Sequence, residues 1–250
     1  MSSVLSYVTA NNLSLITWLD ASPSNIVVSG NNFTWINKTG NTSFDFIQTL
    51  FSKHPSVTSD GISFTSSTSV SSRATGLIDG KSYSIVAISR DSSGIDQVLV
   101  SLKQLVNSSV NVVRYSQLSD KLLQEYQRTY LKTLLNFSES IIESINIICI
   151  NHLVKLGRTS VRVNGFPYEI IGNLQNAYKM QVGSSIIGEA NLTNLYHFLV
   201  FSPSITEAQL DDIVDLLLAS TPALNPTPFW DLIITDTWNN LTEGTWNNIL

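Results

Sequence analysis

Charge is scarce in this sequence. Asp, Glu, Lys and Arg make up only 13% of its 250 residues, about half the share of an ordinary globular chain. What charge there is sums to −5 with no block of Lys or Arg, which excludes sequence-independent gripping of a nucleic-acid backbone. Cysteine occurs once, as Cys149 in IICINHL. No disulfide can form within one chain, and the apolar setting reads as a buried structural thiol. His54, His152 and His197 stand apart, without His-x-His or His-Glu-x-x-His spacing. Each reads as structural or surface, and no metal or cofactor is expected. No apolar run approaches the ~20 residues of a membrane span. The opening MSSVLSYVTANNLSLITW has neither a charged n-region nor a clean apolar stretch, so no secretory signal is expected.

The usual marks of catalysis are missing too. A hydrolase on a β-sandwich needs two carboxylates flanking the scissile bond, and such pairs often appear as alternating acids on one strand. No Glu-x-Asp-x-Glu pattern and no phosphate-binding Gly-rich loop occurs. Asp211, Asp212 and Asp215 cluster on the polar side of a predicted helix and read as solvated charge. Asp91 and Asp96 in RDSSGID could offer loop oxygens to a metal, but a turn between strands explains them more simply. No catalytic residue is assigned, and the expectation is a protein that is not an enzyme.

What the chain has is Ser, Thr and Asn, with 43% hydrophobic residues. Short polar side chains compete with the backbone for hydrogen bonds and suit strands and turns better than helices. They also create eight Asn-x-Ser/Thr sequons, at Asn12, Asn32, Asn37, Asn41, Asn107, Asn136, Asn191 and Asn240, which at this composition arise by chance. LSLITWLDAS (13–22), NIVVSGNNFTWINKTGN and FDFIQ (44–48) read as strands, with Gly30 and Gly40 in the turns. Asp60-Gly61 and Asn164-Gly165 mark hairpins. SYSIVAISR (82–90) carries apolar residues on both faces, the mark of a strand buried on both sides.

Two helices are expected. In LSDKLLQEYQRTYLKTLLN (118–136), Leu122, Leu123, Tyr126, Tyr130 and Leu134 recur at three- and four-residue spacing; tertiary context could instead draw this stretch into strands. Further on, Leu195, His197, Leu199 and Phe201 alternate with Tyr196, Phe198 and Val200, as in a strand. Ser204 and Glu207 then form a predicted capping box for a helix with Leu210, Ile213, Val214 and Leu217 as its apolar stripe. Three prolines in TPALNPTP end this unit.

Several of these phrases, in this order, resemble a known family. LITWLDAS, FTWINKTGN ahead of FDFIQ, HPSVTSDGISF, YSIVAISR, SVRVNGFPYEI and YHFLVFSPSITEAQLDDIVDLLLAS are similar to the successive strands of concanavalin A-like (laminin-G-like, pentraxin-like) jelly-roll domains. The resemblance spans about residues 10–220. It implies an all-β fold, a two-sheet antiparallel jelly-roll sandwich with a short C-terminal helix, to which the tail of the sequence adds an extended C-terminal arm. The expected organisation is a sandwich over 1–220, a Pro-rich linker over 221–229 and an arm over 230–250. Such domains serve as lectins, carbohydrate-binding modules, adhesive units and hydrolases. This Asn/Ser/Thr-rich version looks most similar to copies in bacteriophage virion proteins.

The arm carries three of the chain's five tryptophans, Trp230, Trp238 and Trp246, at eight-residue intervals. A helix would rotate each by ~80° from the last, whereas an extended chain keeps all three on one face. Regular aromatic anchors suit docking on another chain, although packing on the chain's own sandwich is the alternative. The resemblance and the arm together predict a non-enzymatic virion structural protein, decorating a capsid or forming part of a tail or fibre. Its expected partners are other virion proteins and further copies of itself. The alternative is a module that recognises a host surface glycan. Tyr115, Tyr168 and Tyr178 occupy predicted loop or strand-end positions where sugar stacking is conceivable, but core tyrosines are commoner and no sugar-binding residue is assigned.

Overall fold

The structure, a computed structural model, describes residues 3–58, 61–65, 67–73, 81–90, 97–103, 111–118, 121–126, 131–136, 145–156, 158–171, 179–183 and 192–221. After helix α1 (Val4–Ala10) come β1 (Leu15–Asp20), β2 (Ile26–Ser29), β3 (Asn32–Trp35), β4 (Phe46–Gln48), β5 (Ser56–Thr58), β6 (Gly61–Phe64) and β7 (Ser69–Ser72). The middle contributes β8 (Tyr83–Arg90), β9 (Gln97–Lys103), β10 (Asn111–Leu118), β11 (Lys121–Tyr126), β12 (Leu131–Asn136) and β13 (Ile145–Leu153). The order closes with β14 (Arg158–Val163), β15 (Phe166–Ile171), β16 (Lys179–Gly183), β17 (Leu192–Phe201) and helix α2 (Glu207–Ser220).

The strands form two antiparallel sheets. An eight-stranded sheet runs β15-β14-β13-β8-β17-β6-β5, with β1 also paired to β17, and a nine-stranded sheet runs β12-β11-β10-β9-β16-β7-β4-β3-β2. Leu19, Phe33, Trp35, Phe46, Ile62, Phe64, Ile85 and Phe198 fill the space between them. The other face of the eight-stranded sheet is covered by the two helices. Val86, Ile88, Cys149, Leu199 and Phe201 pack there against Val4 and Val8 of α1 and the stripe Leu210, Ile213, Val214 and Leu217 of α2. The molecule therefore has three layers, and β8 lies in the middle one, buried on both sides as its composition predicts. The jelly-roll sandwich is the fold that the sequence implies.

Turn chemistry held well. Val163 pairs with Phe166 across Asn164-Gly165, whose φ angles of 50° and 85° make a type I′ hairpin. Thr58 pairs with Gly61 at the other predicted hairpin. Gly61 has φ 116°, and a Cβ there would meet the Leu195 carbonyl oxygen at 3.0 Å, so only glycine fits.

Residues 118–136 are a correction. Their described residues form strands rather than a helix: β10, β11 and β12 pair antiparallel in order, with Leu118 opposite Lys121 and Tyr126 opposite Leu131. Helix propensity is a weak prior, and here it yields to a ladder that starts at β9 and is continued on its other side by β16, far along the chain. The capping box of α2 is also displaced. Thr206 accepts from the Gln209 N–H and the Gln209 side chain accepts from the Thr206 N–H, two residues beyond the expected pair Ser204 and Glu207. The cause is Ile205, a buried residue whose N–H donates to the Ser84 hydroxyl at 3.0 Å and holds the chain extended. Strict alternation fails in β17 as well. A register shift between Leu195 and His197 puts Leu195, Phe198 and Val200 in the inner core and Tyr196, Leu199 and Phe201 in the outer one.

Helix α1 was not foreseen. Ser3 caps it by accepting from the Ser6 N–H, and only Val4 and Val8 are buried. Seven residues with two anchors leave no periodic signal, and so short a helix is stable only through what it packs on.

Candidate functional site

Two polar assemblies and one apolar flank account for the notable side chains of the described residues. The first assembly grows from WLDAS and NKTGN. The Asp20 carboxylate accepts from the Ser22 N–H and hydroxyl and from Lys38 Nζ at 2.9 Å, while its backbone carbonyl accepts from the Trp35 indole at 2.8 Å. Lys38 Nζ also lies 4.1 Å from the centre of the Trp18 ring, a cation–π contact. Asn37 ties the turn to β1: its Oδ1 accepts from the Trp18 N–H and its Nδ2 donates to the Ile16 carbonyl. The Asn37 N–H in turn donates to Asp45, whose carboxylate is 3.9 Å from Arg73.

His197 completes this assembly. Its Nε2 is 2.8 Å from the Thr221 hydroxyl, while its Nδ1 lies 3.8 Å from Asp20, too far for a hydrogen bond. Burial pushes the ring down to about 4, against the pull of Asp20, so it is neutral at pH 7. Burial alone would raise the Asp20 carboxyl, but the bonds from Ser22 and Lys38 outweigh it and hold it below the usual value. A carboxylate so fully engaged is a fastener between the two sheets.

The second assembly seats α2 on β13 and β14. Arg162 reaches both Asp211 and Glu207; Glu207 also accepts from Ser160 at 2.9 Å. Asn151 donates to the Ile205 carbonyl at 3.1 Å and accepts from Ser84 at 3.0 Å. Asp212 accepts from the Tyr7 hydroxyl of α1, which raises that phenol to about 12. The acidic cluster is thus not simply solvated: Asp211 and Asp212 bind the sheet and the neighbouring helix. Burial, and then the charges of Asp211 and Asp212, raise the Asp215 carboxyl. Cys149 is buried and its thiol is pushed up to about 12 by that burial, the inert structural thiol expected. His152, stacked near Tyr83 and bonded to Thr159, is likewise lowered to about 4 by burial. His54 is half-buried, its Nε2 2.9 Å from the Asn31 carbonyl oxygen.

The apolar flank lies where β2 and β5, each at an edge of its sheet, come to the same side of the sandwich. The segment joining β4 to β5 crosses between the sheets there. Its His54 ring packs against Phe33 and Phe51. Exposed along this flank are Val27, Val28, Leu50, Val57 and Phe51, the last with 69% of its surface open.

Of the residues singled out in the sequence, Trp230, Trp238 and Trp246, residues 222–229 of the linker, Asp91, Asp96 and Tyr178 lie outside the described residues. Tyr115 is in β10 and Tyr168 in β15. The Asp20–Lys38–Asn37 assembly was missed as a unit, although WLDAS and NKTGN both stood out. Its signal was two uncommon phrases with Asp, Asn and Lys, but not which of their atoms meet.

No protein-family model matches the chain, and no curated protein matches it. Solved structures do. A Trypanosoma rangeli sialidase superposes with a TM-score of 0.58 over 83% of this chain and 33% of that one, at 11% identity. The same enzyme in complex with sialic acid gives 0.56 over the same shares, also at 11% identity. The chain shares with them a two-sheet antiparallel β-sandwich fold. It spans about a third of the length of the sialidases it matches, and the likeness is one of fold. The binding domain of botulinum neurotoxin serotype D also aligns, with a TM-score of 0.48 and 12% identity over 82% of this chain and 53% of that one.

Proposed function

We propose that this chain is a non-catalytic recognition module: a lectin-like sandwich that binds a surface glycan and is held on a larger body by residues 230–250. The supporting observation is how its buried ionisable groups are used. Asp20, Asp45, His152 and His197 are the buried acids and histidines among the described residues, and each already serves a structural partner. A general acid or base must be free to exchange a proton with a substrate. Fold does not dictate function, but a lectin-like sandwich with its buried acids so engaged suits binding without turnover. The sialidase superposed here is known in complex with sialic acid, so sialylated glycans are the first class to try.

The larger body, on the resemblance drawn from the sequence, is a bacteriophage virion, with Trp230, Trp238 and Trp246 as the anchors on capsid or tail proteins or on further copies of the chain. The test of recognition is a glycan panel paired with a fluorogenic sialoside. Saturable binding without release of the fluorophore is expected. Turnover that is lost on mutating one acid would overturn the reading. For attachment, the full chain is compared with Trp238→Ala and Trp246→Ala variants, which should lose assembly while keeping glycan binding.

A further inference from the structure

The outer strands of the two sheets are not protected alike. An open edge is a template for another strand, and proteins blunt it with lysine, proline, inward charge or a bulge. At their edges, β15 carries Pro167 and Glu169 and β12 carries Lys132. At the opposite edge of the nine-stranded sheet, β2 reads IVVS and carries none of these devices. Its consecutive residues Val27 and Val28 are 47% and 56% exposed.

The ladder to β3 shows which backbone groups of β2 face outward. The Ile36 N–H donates to the Asn25 carbonyl at 2.7 Å, so Asn25 turns its polar groups towards the β3 side. Alternation along an antiparallel pair then turns Val27 and Ser29 the same way, and Ile26 and Val28 away. The Ile26 N–H is taken by the Pro23 carbonyl. Val28 therefore holds both its N–H and its C=O at the open edge, with no partner there among the described residues. Side chains alternate as well. Val28 lies opposite Phe33, a residue of the inner core, and Val27 opposite Thr34, so the edge is apolar on both faces. Beside Val28, the Phe33 ring packs on His54 and His54 on the exposed Phe51, which carries the apolar surface past the strand.

The charge around this edge selects its occupant. About a two-fold axis each residue near the centre meets its own copy, so a charge there would face a like charge. Residues 21–37 contain no ionisable side chain, although the chain as a whole carries −5. A foreign protein is usually steered and held in register by complementary charge, and this edge offers none. A second copy needs none. A two-fold axis normal to the sheet keeps its faces, so opposed residues must belong to the same face. Val28 then opposes Val28 of the second copy, and Val27 opposes its Ser29. In that register each Val28 N–H donates to the other Val28 carbonyl, which uses the two outward groups that β3 leaves over.

We propose that β2 pairs antiparallel with β2 of a second copy about a two-fold axis at Val28, joining two nine-stranded sheets edge to edge. The contact uses neither the glycan site nor residues 230–250. So short a ladder belongs to the small, transient class of interfaces, and the dimer should form at micromolar concentrations and above.

Sedimentation of the full chain over a concentration series, with amide hydrogen exchange at both ends of the series, tests this. A monomer–dimer equilibrium is expected, with the Val28 amide protected only where the dimer is populated. Val28→Pro removes the outward N–H and leaves the ladder to β3 intact, since proline is tolerated where an edge N–H faces solvent. Val28→Lys sets two like charges across the axis. Each should weaken the dimer roughly tenfold or more while β8 stays protected. The Trp238→Ala, Trp246→Ala double variant should dimerise as the unmodified chain does, so assembly through the arm reads out separately. A monomer at every concentration would overturn the proposal, as would a dimer that both Val28 variants leave intact or that the tryptophan variant abolishes. Protection of the Val28 amide in the monomer would also overturn it, because the occupant would then be the chain's own.

Discussion

The eight-stranded sheet has two buried faces, and they are buried in different ways. Its inner face meets the other sheet through large apolar groups such as Phe46 and Phe198, whose rings meet edge-on at 6.0 Å, with the polar fastener of Asp20, Lys38 and Asn37 at the rim. Its outer face meets two helices, and there the stripe of α2 is flanked by charges aimed across the seam, Arg162 to Asp211 and Tyr7 to Asp212. Backbone ladders fix the strands within each sheet but none crosses between the sheets, so the inner face is matched by the shape of large apolar side chains. A helix has no ladder to its neighbour; its position is set by side chains alone, which is why the polar contacts of the seam reach α1, β13 and β14 at once. The contrast teaches that the inner core defines the fold and the outer seam defines where the helices sit on it.

The sharpest way to break that contrast is to remove volume on each side. Trp35→Ala leaves the largest hole and unties the Asp20 carbonyl, and should cost about 3–5 kcal/mol in urea denaturation, deprotecting every strand to hydrogen exchange. Leu217→Ala should cost about 2–5 kcal/mol but loosen α1 and α2 before β3 and β4. If it deprotects both sheets equally, the two faces are one cooperative unit and the contrast fails.

Acid should act next most strongly. His152 and His197 are held neutral, with folded values of about 4 against an ordinary 6.5. The unfolded chain therefore takes up protons that the folded chain refuses. Stability is full above pH 6.5 and falls as pH drops towards 4, by up to about 1.4 kcal/mol per pH unit for each ring. Replacing His152 with Gln should remove one ring's share of that slope in denaturation curves taken at a series of pH values.

Smaller effects belong to the seam. Thr206→Ala breaks the capping box and should cost about 1 kcal/mol. Arg162→Ala should cost less, about 0.5 kcal/mol, because its carboxylate partners are about half exposed and water screens the pair. A loss above 3 kcal/mol for Arg162→Ala would mean that the seam carries the fold.

How much of this was legible beforehand depended on distance along the chain. The Asn164-Gly165 turn, the Asp60-Gly61 hairpin signal and the stripe of α2 act within a few residues, and all were readable, although the close approach of Leu195 to Gly61 was not. The phase of β17 was not, because its bulge is shaped by β6 and β8 rather than by its own letters. The meander of β10 to β12 was missed for the same reason: Leu122, Leu123 and Tyr126 fit a helical stripe locally, and only β9 and β16 make strands of them. Within the fastener, Trp18, Asp20, Asn37 and Lys38 sit in phrases that stood out, yet their joint role needs an 18-residue separation to close between Asp20 and Lys38. Helix α1 was invisible because its partner, α2, lies some 200 residues downstream.

The pairing of β1 with β17 also sets a clock. Leu15–Asp20 is matched to residues 197–201, so this strand leaves the ribosome and then waits for about 180 further residues. At translation rates of about 5–20 residues per second, the wait is roughly ten to forty seconds. During that time Trp18 and Leu19 have no ladder to join, and neither core can close. An apolar strand left unpaired over that interval is open to aggregation, so the late arrival of its partner is a kinetic feature of this topology.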